Sequence, residues 1–212
     1  MTDAAQAAQL PWLPGLSDDH PGARIALIHG FLAGSHMQRH LLRWVREQGH
    51  ADAALFSHFA AVHGIADWLQ AAAAQGRPVA LIGYSQGGFQ VLKVARVLSA
   101  RGIDIALVAS IGRGGVGWLM PAQWGFRPRL AQTRIRRLLN VYSHADPMGT
   151  DPRAAGNALK APAGMSLDTI AFARSDAVDH IALVRCYPEQ AVHPAVRRQF
   201  LEPLARALAD LS

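Results

Sequence analysis

The chain has a single cysteine, Cys186, in 212 residues, which excludes an internal disulfide framework. Its only lysines are Lys93 and Lys160, so the net charge of +6 rests almost wholly on arginine, which stays charged at any relevant pH. No segment approaches the ~20 uninterrupted apolar residues of a membrane span. The first residues lack a basic start followed by an apolar core, so no secretory signal is expected and the cytoplasm is the default compartment. His36, His40, His50, His58 and His63 are scattered without metal-ligand spacing; neither a zinc site nor any other cofactor is expected. Basic residues are not interleaved with aromatics, so no nucleic-acid partner is expected. The one local concentration, Arg127, Arg129, Arg134, Arg136 and Arg137, reads as a solvated basic face, or as a docking patch for an acidic substrate or partner.

Hydrophobic residues make up 50% of the chain, enough for one substantial core. Residues 1–22, with Pro11, Pro14, Pro21 and Gly22, read as a coil leader, and residues 23–212 as a single domain. Short apolar runs at Arg24–Ile28, Ala53–Ser57, Pro78–Tyr84, Ile103–Ile111, Leu138–Ser143 and Ser166–Ala173 read as strands. Between them lie helical patterns: Ser35, as a cap, to about Gln48; Gly64 to Ala74; Gln86 to about Ala100. A last amphipathic helix opens at Pro194. Strands alternating with helices predict an α/β fold with a doubly wound, mostly parallel sheet. Residues 112–135 break the rhythm with seven glycines and prolines among aromatics. They suggest a small flap, with Trp118, Met120 and Trp124 as candidate substrate-binding residues beside Phe126, or else aromatics that fill the local core.

The most informative stretch is Val79–Gly88, where a buried strand stops in Gly83-Tyr84-Ser85-Gln86-Gly87 and a helix follows at once. This is the context of a nucleophile elbow: a strained turn lifts the serine hydroxyl above the sheet, and side chains at the flanking glycines would collide with backbone. A serine hydroxyl is a weak nucleophile at neutral pH. It needs an imidazole to take its proton, a carboxylate to orient that imidazole, and N–H donors for the developing alkoxide, worth roughly 3–4 kcal/mol each.

Such groups belong at the carboxyl ends of parallel strands. Asp146 follows the Leu138–Ser143 strand, and His180 follows the last strand in Asp179-His180-Ile181-Ala182-Leu183. His29-Gly30-Phe31 follows the first strand, where the Phe31 N–H can meet that of Gln86 in an oxyanion hole. Each has a rival. Asp146 precedes Pro147 and suits a turn; Asp151 is a more distant acid; His193 adjoins Pro194 and suits a helix cap; Asp176 and Asp179 neighbour His180. His29 suits a structural role in the oxyanion loop, His144 the surface, and Cys186 a partly buried structural thiol.

At these residues the chain resembles the α/β-hydrolase superfamily, most of all its compact lipase and esterase branch. Ile28-His29-Gly30-Phe31-Leu32-Ala33-Gly34-Ser35 is similar to the oxyanion segment of bacterial lipases, and Gly83–Gly88 to the elbow of cutinases and carboxylesterases. Val141-Tyr142-Ser143 with Asp146, and His180–Leu183, resemble the segments that supply acid and base. Where that branch carries Gly-Ser-Pro after the fourth strand, this chain has Ser110-Ile111-Gly112-Arg113-Gly114-Gly115, and no large cap domain fits before Leu138. The resemblance implies a serine esterase with Ser85 as nucleophile, His180 as base, Asp146 as orienter, and Phe31 and Gln86 as oxyanion donors. A small acyl ester or thioester would be the substrate. Acyl transfer, or a binding protein on the same fold, are the other readings.

Overall fold

A computed structural model describes residues 20–113, 129–151 and 154–211. The leader at 1–19 and the flap residues Trp118, Met120, Trp124 and Phe126 lie outside them. Six strands pair in parallel in the order β2-β1-β3-β4-β5-β6. They are β1 (Arg24–His29), β2 (Ala53–Ser57), β3 (Val79–Tyr84), β4 (Ile105–Ile111), β5 (Ile135–Ser143) and β6 (Ser166–Phe172).

Helix α1 runs as Gly34–Met37 and Arg43–Glu47 on either side of a π-helical stretch, Gln38–Leu42. Helices α2 (Val62–Ala73) and α3 (Gln86–Ala100) follow β2 and β3. A short α4 (Ala154–Asn157) precedes β6. The C-terminal α5 comprises Pro194–Val196, a π-helical Arg197–Leu201 and Glu202–Ala209.

Alternation along the strands builds two cores. Ile25, Leu27, Ala80 and Ile82 face one side with Met37, Leu41 and Val45 of α1 and Phe200, Leu204 and Leu208 of α5. Ala26, Ile28, Val79 and Leu81 face the other with Ile65 and Leu69 of α2 and Val91 and Leu98 of α3. Burying a side chain the size of Phe200, which is fully enclosed, contributes about 2–3 kcal/mol. The strand order reverses between β1 and β3, so the connections leaving these two strands pass to opposite faces. The crevice this opens at their carboxyl ends is where parallel sheets bind ligands.

Most boundaries shift by one or two residues from expectation, as where β4 begins at Ile105 and α2 at Val62, and two differences go further. Ser35 does not cap α1: Ala33 holds the cap position and no side chain takes up the free N–H groups. Strand β5 begins at Ile135, three residues before the predicted Leu138. Arg136 and Arg137 hid its start, although one is exposed and the other half-buried along an otherwise regular strand.

Candidate functional site

The crevice holds the turn from β3 into α3. Ser85 has φ 57° and ψ −122°, a conformation costing on the order of 1–3 kcal/mol for a residue with a side chain. Two hydrogen bonds hold it there: its N–H donates to the Ile111 carbonyl at 2.8 Å, and its own carbonyl accepts from Gly88 N–H at 2.9 Å. No other residue type fits at the flanking glycines. A Cβ on Gly83 would lie 2.2 Å from the Gly87 carbonyl oxygen, and one on Gly87 would lie 1.9 Å from that of Ile28. Gln86 is the first residue of α3, and the opening N–H groups of a helix have no acceptor within it.

The loop after β1 closes on this turn. A Cβ on Gly30 would sit 2.9 Å from Ser85 Oγ and 3.0 Å from the Gln86 nitrogen, which places Gly30, the residue before Phe31, directly beside both. His29 Nδ1 lies 2.7 Å from the Gly30 carbonyl oxygen, and its ring packs within 3.2 Å of where a Gly34 Cβ would be. The Phe31 side chain points outward and is 57% exposed, its ring meeting His58 edge-on.

Asp146 and His180 come together although 34 residues separate them: His180 Nδ1 lies 2.6 Å from Asp146 Oδ2. Both are buried. Asp146 is also the turn residue its neighbour Pro147 suggested, because Oδ1 accepts the N–H groups of Met148 and Gly149, each at 2.9 Å. A carboxylate so engaged is an acceptor on both oxygens. The imidazole therefore donates from Nδ1, leaving Nε2 as a base.

The rivals lie elsewhere. His193 accepts from Ala195 N–H at 3.2 Å and caps α5. Asp179 and Asp176 accept from the backbone of Ala182 and Ala173. Asp151 pairs through its backbone with the Asn157 amide. His144 is exposed, and Cys186 is buried, its thiol pushed up to about 12 by desolvation.

Several residues that position this pair carried no signal in the sequence. The Tyr84 hydroxyl donates to the His180 carbonyl at 2.8 Å, and its ring stacks on the imidazole with centroids 4.8 Å apart. Burial, followed by the charges of Asp146 and Asp179, pushes the Tyr84 phenol far above its usual range, so it stays a donor. Ser143 Oγ donates to the Val178 carbonyl at 2.6 Å, tying the end of β5 to the loop that carries His180. Gly149 leaves room for the Asp146–His180 bond, because a Cβ there would lie 2.2 Å from Asp146 Oδ2. Arg113, buried beside Gly88, donates to the Asn157 carbonyl at 3.2 Å and pins that segment against α3.

The basic cluster foreseen around Arg127–Arg137 sits away from this site, where its described arginines cluster at the amino end of β5. There Arg134 and Arg136 pair with Asp104 at 2.7 and 3.7 Å, and Arg137 pairs with Asp168 and Asp210 at 2.9 and 3.6 Å. Among the described residues no group of acids, histidines and cysteines is arranged to hold a metal, and no helix is long and apolar enough to cross a membrane.

No protein-family model matches the chain, and no curated protein matches its sequence. Solved structures do match its fold. An α/β-hydrolase superfamily protein from Enterococcus faecalis aligns at TM-score 0.56 and 12% identity over 90% of this chain and 92% of its own. Esterase B from Lactobacillus rhamnosis aligns at 0.55 and 16% over 90% and 77%. RedJ, a thioesterase of the prodiginine biosynthetic pathway in Streptomyces coelicolor, aligns at 0.51 and 13% over 98% and 97%. The chain has the α/β-hydrolase fold.

Proposed function

We propose that this α/β-hydrolase-fold chain is a serine hydrolase that cleaves carboxylic esters or thioesters through an acyl-enzyme. The observation that carries the reading is the 2.6 Å bond between Asp146 and His180, made beside a serine held in the strained elbow turn. His180 Nε2 takes the Ser85 hydroxyl proton as Oγ attacks the acyl carbon. The alkoxide that forms is met by the N–H groups of Gln86 and Phe31, which flank the Ser85–Gly30 contact. The C–O or C–S bond then breaks, and the leaving group departs with the proton from His180. Water, deprotonated by the same imidazole, repeats the attack and releases the acid. Asp146 keeps the ring in the required tautomer and stabilises its cation.

An apolar acyl group suits the mouth of the site. The exposed large hydrophobic side chains among the described residues, Phe31, Leu32, Phe59, Met148 and Ile181, all lie on loops at the carboxyl side of the sheet. Turnover of p-nitrophenyl acetate, butyrate, octanoate and palmitate tests the reading, with labelling by a fluorophosphonate. Ser85→Ala is expected to abolish both labelling and turnover, lowering kcat by about 10⁴-fold or more. Wild-type protein that neither turns over these esters nor takes the label would mark a binding protein on a hydrolase fold.

A further inference from the structure

Behind the His180 loop, α1 and residues 185–191 enclose a groove of about 520 Å³ lined by His36, Arg39, His40, Arg43, Arg185 and Tyr187. Its charge is one-sided. Glu47, at its far end, accepts from Arg43 Nε at 2.7 Å and from the Tyr187 hydroxyl, and so answers Arg43 alone. Among the described residues Arg39 meets only the Ser35 carbonyl, at 3.2 Å, and Arg185 has no side-chain partner. The buried His36 Nε2 makes no well-formed hydrogen bond among them, its ring lying towards the Ile181 backbone. The His36 and His40 rings lie 4.2 Å apart, and His40 Nδ1 is occupied by the Tyr187 N–H at 3.2 Å and the Cys186 N–H at 3.4 Å.

We propose that this groove is a binding site for a small phosphate monoester. Arg39 and Arg185 grip the phosphate, and the organic part lies against Tyr187, Pro188 and Ala191. A phosphate monoester dianion presents oxygens to two guanidinium forks arriving from separate segments, whereas the two oxygens of a carboxylate fill a single fork. The volume exceeds that of a bare ion and lies within the range of small-molecule sites. Tyr187, already carrying the Arg43 guanidinium 4.2 Å from its ring centroid, supplies a flat apolar wall.

The field inside the groove agrees with this. Desolvation first, then the charges of His36, Arg185 and Arg39, lower the His40 pKa to about 4; burial lowers that of His36 against the Ile181 backbone, which raises it, and the same two arginines add to the lowering. An anion in the groove opposes those charges, so its arrival is legible in both imidazoles.

The test titrates phenyl phosphate, with inorganic phosphate and benzoate alongside, into the full-length chain while following the imidazole Cε1–H signals by NMR. Expected is a saturable shift of the His36 and His40 signals and an upward move of both titrations. Affinity for phenyl phosphate should fall about tenfold in each of Arg185→Gln and Arg39→Gln, and stay unchanged in Arg134→Gln, where the arginine already has a carboxylate. No saturable shift up to about 20 mM, equal affinity for benzoate, or equal loss in Arg134→Gln overturns the proposal. A kinetic arm, which alone rests on the esterase reading, separates two sources of the phosphate. Phenyl phosphate that raises KM places it on the substrate itself, and any other response marks a free ligand.

Discussion

Two aspartates are buried at opposite edges of the same sheet, and they differ in what their partners can do. Asp52 precedes β2 and receives Arg24 Nε at 2.9 Å and Arg77 Nη2 at 2.5 Å, so it clamps the amino ends of β1, β2 and β3. Arg24 also donates to the Trp68 carbonyl at 3.1 Å and lies over the Trp68 ring. Both partners are guanidiniums, which do not release a proton in a protein. Asp146, at the carboxyl edge, receives two backbone N–H groups and an imidazole. An imidazole, unlike a guanidinium, has a second ring nitrogen that can accept a proton. The two carboxylates thus differ in the chemistry that their partners offer.

The contrast breaks most sharply on substitution by asparagine. Asp146→Asn is expected to lower kcat for p-nitrophenyl butyrate about 10⁴-fold, because the wrong imidazole tautomer then faces Ser85. Its folded structure should survive, as circular dichroism would record. Asp52→Asn is the mirror case: kcat/KM within about twofold of wild type, but unfolding free energy in urea lower by roughly 3–5 kcal/mol, since two buried guanidiniums lose their counter-charge. Loss of activity without loss of stability at position 52 would erase the distinction between the two edges.

A smaller effect sharpens the active edge. Tyr84→Phe removes the bond to the His180 carbonyl but keeps the ring stacked, and should cost about 1 kcal/mol, or some fivefold in kcat/KM. The smallest effect separates fixed charge from titratable charge. His40 has a folded-state pKa near 4 against an unfolded value of 6.5, so the unfolded chain binds protons that the folded chain refuses between those limits. Its contribution to stability is present above pH 6.5 and is lost as the pH falls towards 4. His36, His50 and His58, also lowered by burial, act in the same direction. Melting temperature should fall over that window in wild type and fall less in His40→Gln.

The strand alternation was written in short apolar runs bounded by glycine and proline. The elbow was legible because strand, glycines and helix are contiguous, and local geometry is a property of neighbouring residues. The same local reading missed the Tyr84–His180 contact and the space left by Gly149. Those depend on which loops the sheet order brings together, and nothing in the residues beside them records it. Arginine shows the limit most clearly. The cluster from Arg127 to Arg137 read as a solvated basic face or a docking patch, and nothing local showed that Asp104, Asp168 and Asp210 arrive from other elements to pair with Arg134, Arg136 and Arg137. The open basic groove is assembled from Arg39 and Arg185, 146 positions apart and inconspicuous in sequence.

By itself, then, the sequence determined the parallel sheet, the turn at Ser85, and an acid after β5 and an imidazole after β6, because periodicity and turn chemistry are local. Tertiary structure decided that Asp146 meets His180, that Gly30 backs the serine, and which arginines have no carboxylate among the described residues. Those are distances between segments remote in the chain, set by strand order and packing.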